Sequence, residues 1–480
     1  MMKTSAFKKT LFLMLALGSW YWGNCQLQAD SLYSYLEIAT KKNPTVFQRF
    51  YEYEAALQKI PQVGSLPDPD ISLGVFLSPM EQSGGNQLAD IRLMQMFPWF
   101  GVLKSAKDEM NLMANAKYES LRDAKLQLTF DVQRSWYELH KIKQNIRISE
   151  KNIEILQTIE RLAIVRFKAA PNGNGSSSSG RVQTPAPSQG ATSGSSGMNT
   201  MGSSSGNVIG TANQAASPMP ANSMVSSSAS SGLTDVYRIQ IEINEVQNSM
   251  ELLKNQFSTL SAQFNSYLDR PPDAIVTVPD TLISDNFPLS QLALSDSALG
   301  KNPMLGMLQF EQQSLNARKQ MVTRMGYPMV GLGVNYSVIG KSEMSASSMN
   351  GLDMIMPMVT ATLPIYRRKY KSMQTEADLL KSANEQNYKA TENELSTEYY
   401  QAMQLYQDAG RRTKLYRNQQ LLASKSLDIM IKSFASSGTD LSDILRVRQQ
   451  TLDYEYKQME AIADTNISIA WLKRLMAFSQ

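Results

Sequence analysis

The 480-residue chain carries 28 Met but only one His and one Cys, with 19% charged residues and a net charge of +4. A zinc site built from Cys and His needs three or four such ligands and is excluded. The charge is too small for a nucleic-acid binder, and a Ser-His-Asp triad would have to use His140, which sits in the charged helical run SWYELHKIKQ and reads as a solvated-face residue.

Taken in chain order, Lys3, Lys8 and Lys9 precede the apolar run LFLMLALGSWYW, and small residues follow at Gly23 and Cys25. That is the layout of a secretory signal over residues 1–25. Its removal takes away three Lys and no acid, so the net charge falls from +4 to +1. A rival reading keeps Cys25 as a lipidated N-terminus. No later apolar run reaches the roughly 18 residues of a transmembrane helix, so any membrane span must be made of strands.

The first repeat, 26–170, opens on a short helix and continues into a hairpin at 70–97. Ile71, Leu73, Val75 and Leu77 alternate on its first strand, while the partner at 88–96 carries Asp90 and Arg92. Residues 102–170 hold neither Gly nor Pro. They predict a helix over 102–168, on the order of 100 Å at 1.5 Å per residue. Leu139, Ile142, Ile146, Ile153 and Leu156 recur at spacings of three, four and seven, as in a helix packed along one seam.

Residues 171–232 differ in kind: 18 Ser, 10 Gly, one charged residue (Arg181) and no aromatic. Such a stretch buries too little apolar surface to offset its ordering entropy and predicts a disordered insertion. A return helix at 233–270 and a linker at 271–290 follow. The second repeat, 291–480, holds a hairpin at 329–363 and long helices at 365–436 and 439–478. Val330, Leu332, Val334, Tyr336 and Val338 share one strand face, with small or polar residues on the other. Leu352, Met354, Met356 and Met358 share a face of the next strand; its three Met are weaker evidence for a soft metal, with adaptable apolar surface as the alternative. A strand of about 9–11 residues with one apolar face is what an outer-membrane barrel requires. Four strands are too few to close one, because bacterial barrels start at about eight, so several chains are needed.

The two halves follow one plan. KKNPTV at 41 recurs as GKNPML at 300, LPDPDISLGVFL at 66 answers to YPMVGLGVNYSV at 327, and MFPWFG at 96 to TLPIYR at 362. Pro98 and Pro364 are 266 residues apart and Phe167 and Phe434 are 267, but Asp235 and Asp443 only 208. The first half has thus gained roughly 58 residues between Phe167 and Leu233.

With the signal, the duplicated halves and the two hairpins, these motifs resemble the TolC-type outer-membrane efflux channels over nearly all of the chain outside 171–232. PDPDISLG with QMFPWFG is most similar to the heavy-metal, CusC-like and CzcC-like branch. The resemblance implies an α+β membrane protein: a homotrimer with a twelve-stranded transmembrane β-barrel, continued by a long antiparallel α-helical barrel in the periplasm. It implies a passive conduit from periplasm to exterior, with no enzyme activity and no cofactor. Its surroundings and partners would be outer-membrane lipid, a periplasmic adaptor (membrane fusion) protein and an inner-membrane RND-type pump. Drug efflux and type I protein secretion are functions of the same family. A secreted coiled-coil adhesin or scaffold is the alternative from another class, and it leaves the duplicated hairpins unexplained.

By the same resemblance, the turns between long helices form the periplasmic tip, with Gly438 and Gly232 in the turns and Asp440 beside them. Asp443 matches the family's acidic constriction and Asp235 is its repeat equivalent. Six such carboxylates in a trimer would favour cations. Arg446 and Arg238 lie at i+3 from each Asp and are placed for salt bridges that hold the tip shut. Helix capping by the Asp residues is the plainer alternative. Thioether sulfur suits Cu(I) and, by the same softness, Ag(I). Met198, Met201, Met219 and Met224 in the insertion are therefore candidate metal ligands, set against compositional drift.

Overall fold

A computed structural model describes residues 32–82, 85–169, 231–284, 300–343, 348, 350–435 and 439–478. The segment 1–25, Met198, Met201, Met219, Met224 and Gly438 lie outside them. Helices α1 (Leu32–Lys42) and α2 (Pro44–Gly64) lead to strands β1 (Asp70–Gln82) and β2 (Gly85–Phe97), then to α3 (Val102–Ala169) and α4 (Ser231–Tyr267). The second half runs α5 (Pro303–Met325), β3 (Met329–Gly340), β4 (Met354–Thr362), α6 (Arg367–Ala435) and α7 (Leu441–Leu475). At 68 and 69 residues, α3 and α6 are each about 100 Å long. No helix among the described residues is long and apolar enough to cross a membrane.

The repeated Asn-Pro has a physical role in each half. Asn43 caps α2, its Oδ1 accepting from the Thr45 and Val46 amides at 2.9 and 3.3 Å, and Pro44 occupies the first turn. There its missing N–H is no loss, and its fixed φ suits a helix start. Asn302 caps α5 in the same way, accepting from Met304 N at 2.9 Å ahead of Pro303. Each Asn then turns its amide to the last residue of its own return helix. Asn43 Nδ2 donates to Tyr267 O at 2.9 Å, and Asn302 Nδ2 to Leu475 O at 3.0 Å.

Among the described residues the apolar core lies in three clusters along the helices. Tyr35, Trp136 and Phe264 pack ring against ring at 5.1–5.9 Å, with Leu128, Val132 and Leu139 around them. Leu305, Leu395, Tyr399, Ile469 and Leu472 form the corresponding cluster of the second half. The third lies at the far end of the helices. Residues 271–284 cross the flank of α3, where Lys143 pairs with Asp280 at 2.9 Å and donates to Val278 O, and Asn466 Nδ2 holds Ile283 O at 2.9 Å. This strap corrects the reading of His140 as a solvated residue, for it leaves the side chain only 4% exposed. Burial, opposed by a hydrogen bond with the Pro279 backbone, holds the imidazole below its ordinary pKa.

The two hairpins join into one antiparallel sheet of order β1-β2-β3-β4, in which β2 also pairs with β3. Register settles which residues share a face. Leu93 pairs with Ile71 and Val334, and Val334 with Pro357; Leu332 pairs with Val359. One face therefore carries Ile71, Leu73, Val75, Leu93, Val330, Leu332, Val334 and Val359, all exposed. The other carries Asp90, Arg92, Asn335 and Ser337, and on it stand Met354, Met356 and Met358. The three Met are thus not part of the apolar surface. Prolines fall within β1 and β4, the two edge strands, where a missing amide donor is tolerated.

Candidate functional site

The ends of α3, α4, α6 and α7 farthest from the sheet come together around Leu156, Ile159, Ile239, Phe434, Leu441 and Ile444, all fully or almost fully buried. Apolar residues at i, i+3 and i+7 on α4 (Val236, Ile239, Ile243) face this cluster and set the rotation of the helix. Their spacing turns Asp235 and Arg238 toward the rim, beside the start of α7. Arg166 completes the rim from α3, with its guanidinium 4.7 Å over the Phe434 ring.

The tip acids are not equivalent. Asp443 stands in the first turn of α7, where a carboxylate is favoured by the helix dipole, and its Oδ1 meets Arg446 at 2.7 Å. The capping position belongs to Asp440, whose backbone is extended but whose side chain makes no cap hydrogen bond. Asp235 is the fifth residue of α4, past the capping position. Arg238 reaches across to the other half and donates to Ser442 Oγ at 2.7 Å. Gly232 is the second residue of α4. The structure therefore pairs Asp443 with Arg446, links Arg238 to α7, and brings Asp235 near Asp440 from the opposite repeat.

Burial raises the Asp235 pKa, and the negative charge of Asp440 raises it further; Arg166 and Arg238 act against both. The sign follows from linkage. An acid whose folded pKa lies above its unfolded value destabilises the fold once pH rises through that interval. Asp235→Asn is therefore expected to raise the thermal midpoint at pH 7, with the gain vanishing below the ordinary carboxylate range. A gain that persists in acid would show that charge is not its cause.

A second polar cluster, which sequence spacing did not reveal, ties α3 to α7 further from the tip. Arg448 is 4% exposed and its Nε donates to Asn152 Oδ1, itself 1% exposed. One turn away the Ser149 and Tyr456 hydroxyls meet at 2.6 Å. Among the described residues no group of three or more His, Cys, Asp or Glu could hold a metal ion.

No family model matches the sequence, and no curated protein is significantly similar to it. Solved structures do share the fold. The outer-membrane channel OprN superposes with a TM-score of 0.68 at 13% identity, covering 93% of this chain and 89% of its own. The outer membrane protein VceC of Vibrio cholerae gives 0.67 at 12% identity, over 93% and 95%. CusC, known from structures of its folding and transmembrane channel formation, gives 0.67 at 11%, over 94% and 95%. The chain has the fold of these outer-membrane proteins over more than nine-tenths of its length.

Proposed function

We propose that the protein is the outer-membrane channel component of a tripartite efflux system, a passive trimeric conduit from periplasm to exterior. The observation that carries this reading is the two-faced sheet. One face is exposed and apolar, the other polar, and among the described residues both edge strands lack a partner on one side. In lipid, open edges leave backbone groups unpaired, which only closure avoids. Three copies of the four-stranded sheet would close a barrel of twelve strands. The long helices would continue it through the periplasm toward an adaptor and an inner-membrane pump. Heavy-metal ions, copper and silver among them, are the proposed cargo, in keeping with the methionine content.

Asp443, Asp235 and Asp440 would then ring the periplasmic aperture, with Arg446 paired to Asp443 and Arg238 tying α4 to α7 through Ser442. Protein purified from outer membranes should run as a trimer in detergent and give single-channel conductance with a preference for cations. Asp443→Asn should weaken that preference, measured as reversal potential across a salt gradient. A soluble monomer without conductance would overturn the reading.

A further inference from the structure

The sheet places its methionines in a way that barrel packing does not require. Met94, Met96, Met329, Met354, Met356 and Met358 all fall on the polar face, and the apolar face of β2, β3 and β4 has none. Methionine used as adaptable apolar filler belongs on apolar surface. Here it shares a face with Asp90, Arg92 and Asn335.

Two glycines give the sulfurs room. Met94 and Met358 flank Gly333 on either side of β3, and Met96 and Thr360 flank Gly331. Side chains two strands apart start about 10 Å from each other and can converge only where the residue between them has no side chain. Met96 Sδ lies 2.5 Å from the point where a Cβ on Gly331 would stand. Met94 Sδ accepts from Thr360 Oγ1 at 3.8 Å, so it reaches over β3 as far as β4. One rung further on, Asn335 is only 7% exposed and its Oδ1 has no hydrogen-bond partner among the described residues. A buried carbonyl oxygen left unpaired calls for an occupant.

We propose that this face holds a thioether site for a soft monovalent cation, Ag(I) or Cu(I), with Met94, Met96 and Met358 as ligands over Gly331 and Gly333. Thioether donors select such ions over Zn(II) or Mg(II). Asn335 Oδ1 stands beside the site as a supporting oxygen. The proposal deepens the metal-efflux reading and rests on it only for its consequence, a soft ion held on the wall of the conduit.

The test is titration of the purified full-length protein with silver nitrate in chloride-free detergent buffer, with bound silver measured by elemental analysis after desalting. The triple variant Met94→Leu, Met96→Leu, Met358→Leu nearly conserves volume and should keep the sheet. It is expected to weaken binding by about tenfold or more, at least what loss of a supporting residue commonly causes at metal sites. Gly331→Ala, which displaces only the flexible Met96 thioether, should weaken it as well. Changing Met198, Met201, Met219 and Met224 to Leu should leave this binding in place. Unchanged affinity in the triple variant, loss with the insertion variant alone, or no silver bound by the parent chain would each overturn the site. Conductance is read separately: a chain that binds silver without conducting keeps the site and sinks the channel, and the reverse result does the opposite.

Discussion

Asn152→Leu is expected to lower the stability of the chain by about 3 kcal/mol, because it strips a buried guanidinium of its acceptor. Arg448 and Asn152 are each at least nine-tenths buried between α3 and α7, and Arg448 Nε donates to Asn152 Oδ1. Burial already pulls the Arg448 pKa down, with the charges of Glu455 and Tyr456 opposing it, so the cation is strained even with its partner present. The damage should come mainly from the stranded charge and little from the lost contact itself. The double variant Asn152→Leu, Arg448→Met is therefore expected to recover most of the loss, since a buried polar pair replaced by apolar residues of similar volume is often neutral. Thermal midpoints followed by helical circular dichroism in detergent complete the cycle. A double variant as unstable as the sum of the singles would show that the two residues do not act as a pair.

Much of this architecture is legible from residue pattern. A run without Gly or Pro from 102 to 170 suits unbroken helix, and alternation over 330–338 suits a strand with one apolar face. The Asn-Pro pairs mark helix starts because few other dipeptides both cap and prepay φ. What escapes pattern is whatever register decides. Period-two alternation says that Met354, Met356 and Met358 share a face, but not which one. Only the pairing of Met358 with Gly333, and of Gly333 with Met94, turns them toward Arg92 and away from Val334. His140 escaped for a related reason: the strap that buries it lies about 140 residues further along the chain.

The tip shows the same limit. Spacing at i+3 relates Asp443 to Arg446, and the helix brings them to 2.7 Å. The same spacing relates Asp235 to Arg238, yet Arg238 finds Ser442, 204 residues away. Local periodicity cannot weigh a partner on another helix against one on its own. The Arg448 network was equally silent, because a basic residue on a long helix ordinarily reads as solvated, with its stem alone covering apolar surface.

Asn302→Ala is expected to cost about 2–3 kcal/mol, from two bonds that meet in one side chain. Loss of the cap removes about 1 kcal/mol, and the Leu475 carbonyl, left without its donor in a buried site, adds about 1–2 kcal/mol more. Asn302 is 4% exposed, so water cannot readily replace either bond. Asp separates the two contributions. Asn302→Asp keeps the acceptor for Met304 N but has no amide to give Leu475 O, and it sets a carboxylate against the carbonyl end of α7. A residue that only caps would be rescued by Asp, whereas one that also fastens the return helix would not. Failure of Asp to rescue is the expected result. Asn43→Ala should behave alike through Tyr267 O. The two effects should add, because the residues stand beside separate core clusters. Rescue by Asp at both positions would reduce the repeated Asn to a helix start. Failure at both would make it the clasp by which each half of the duplicated chain holds its first described helix after the Asn to its last.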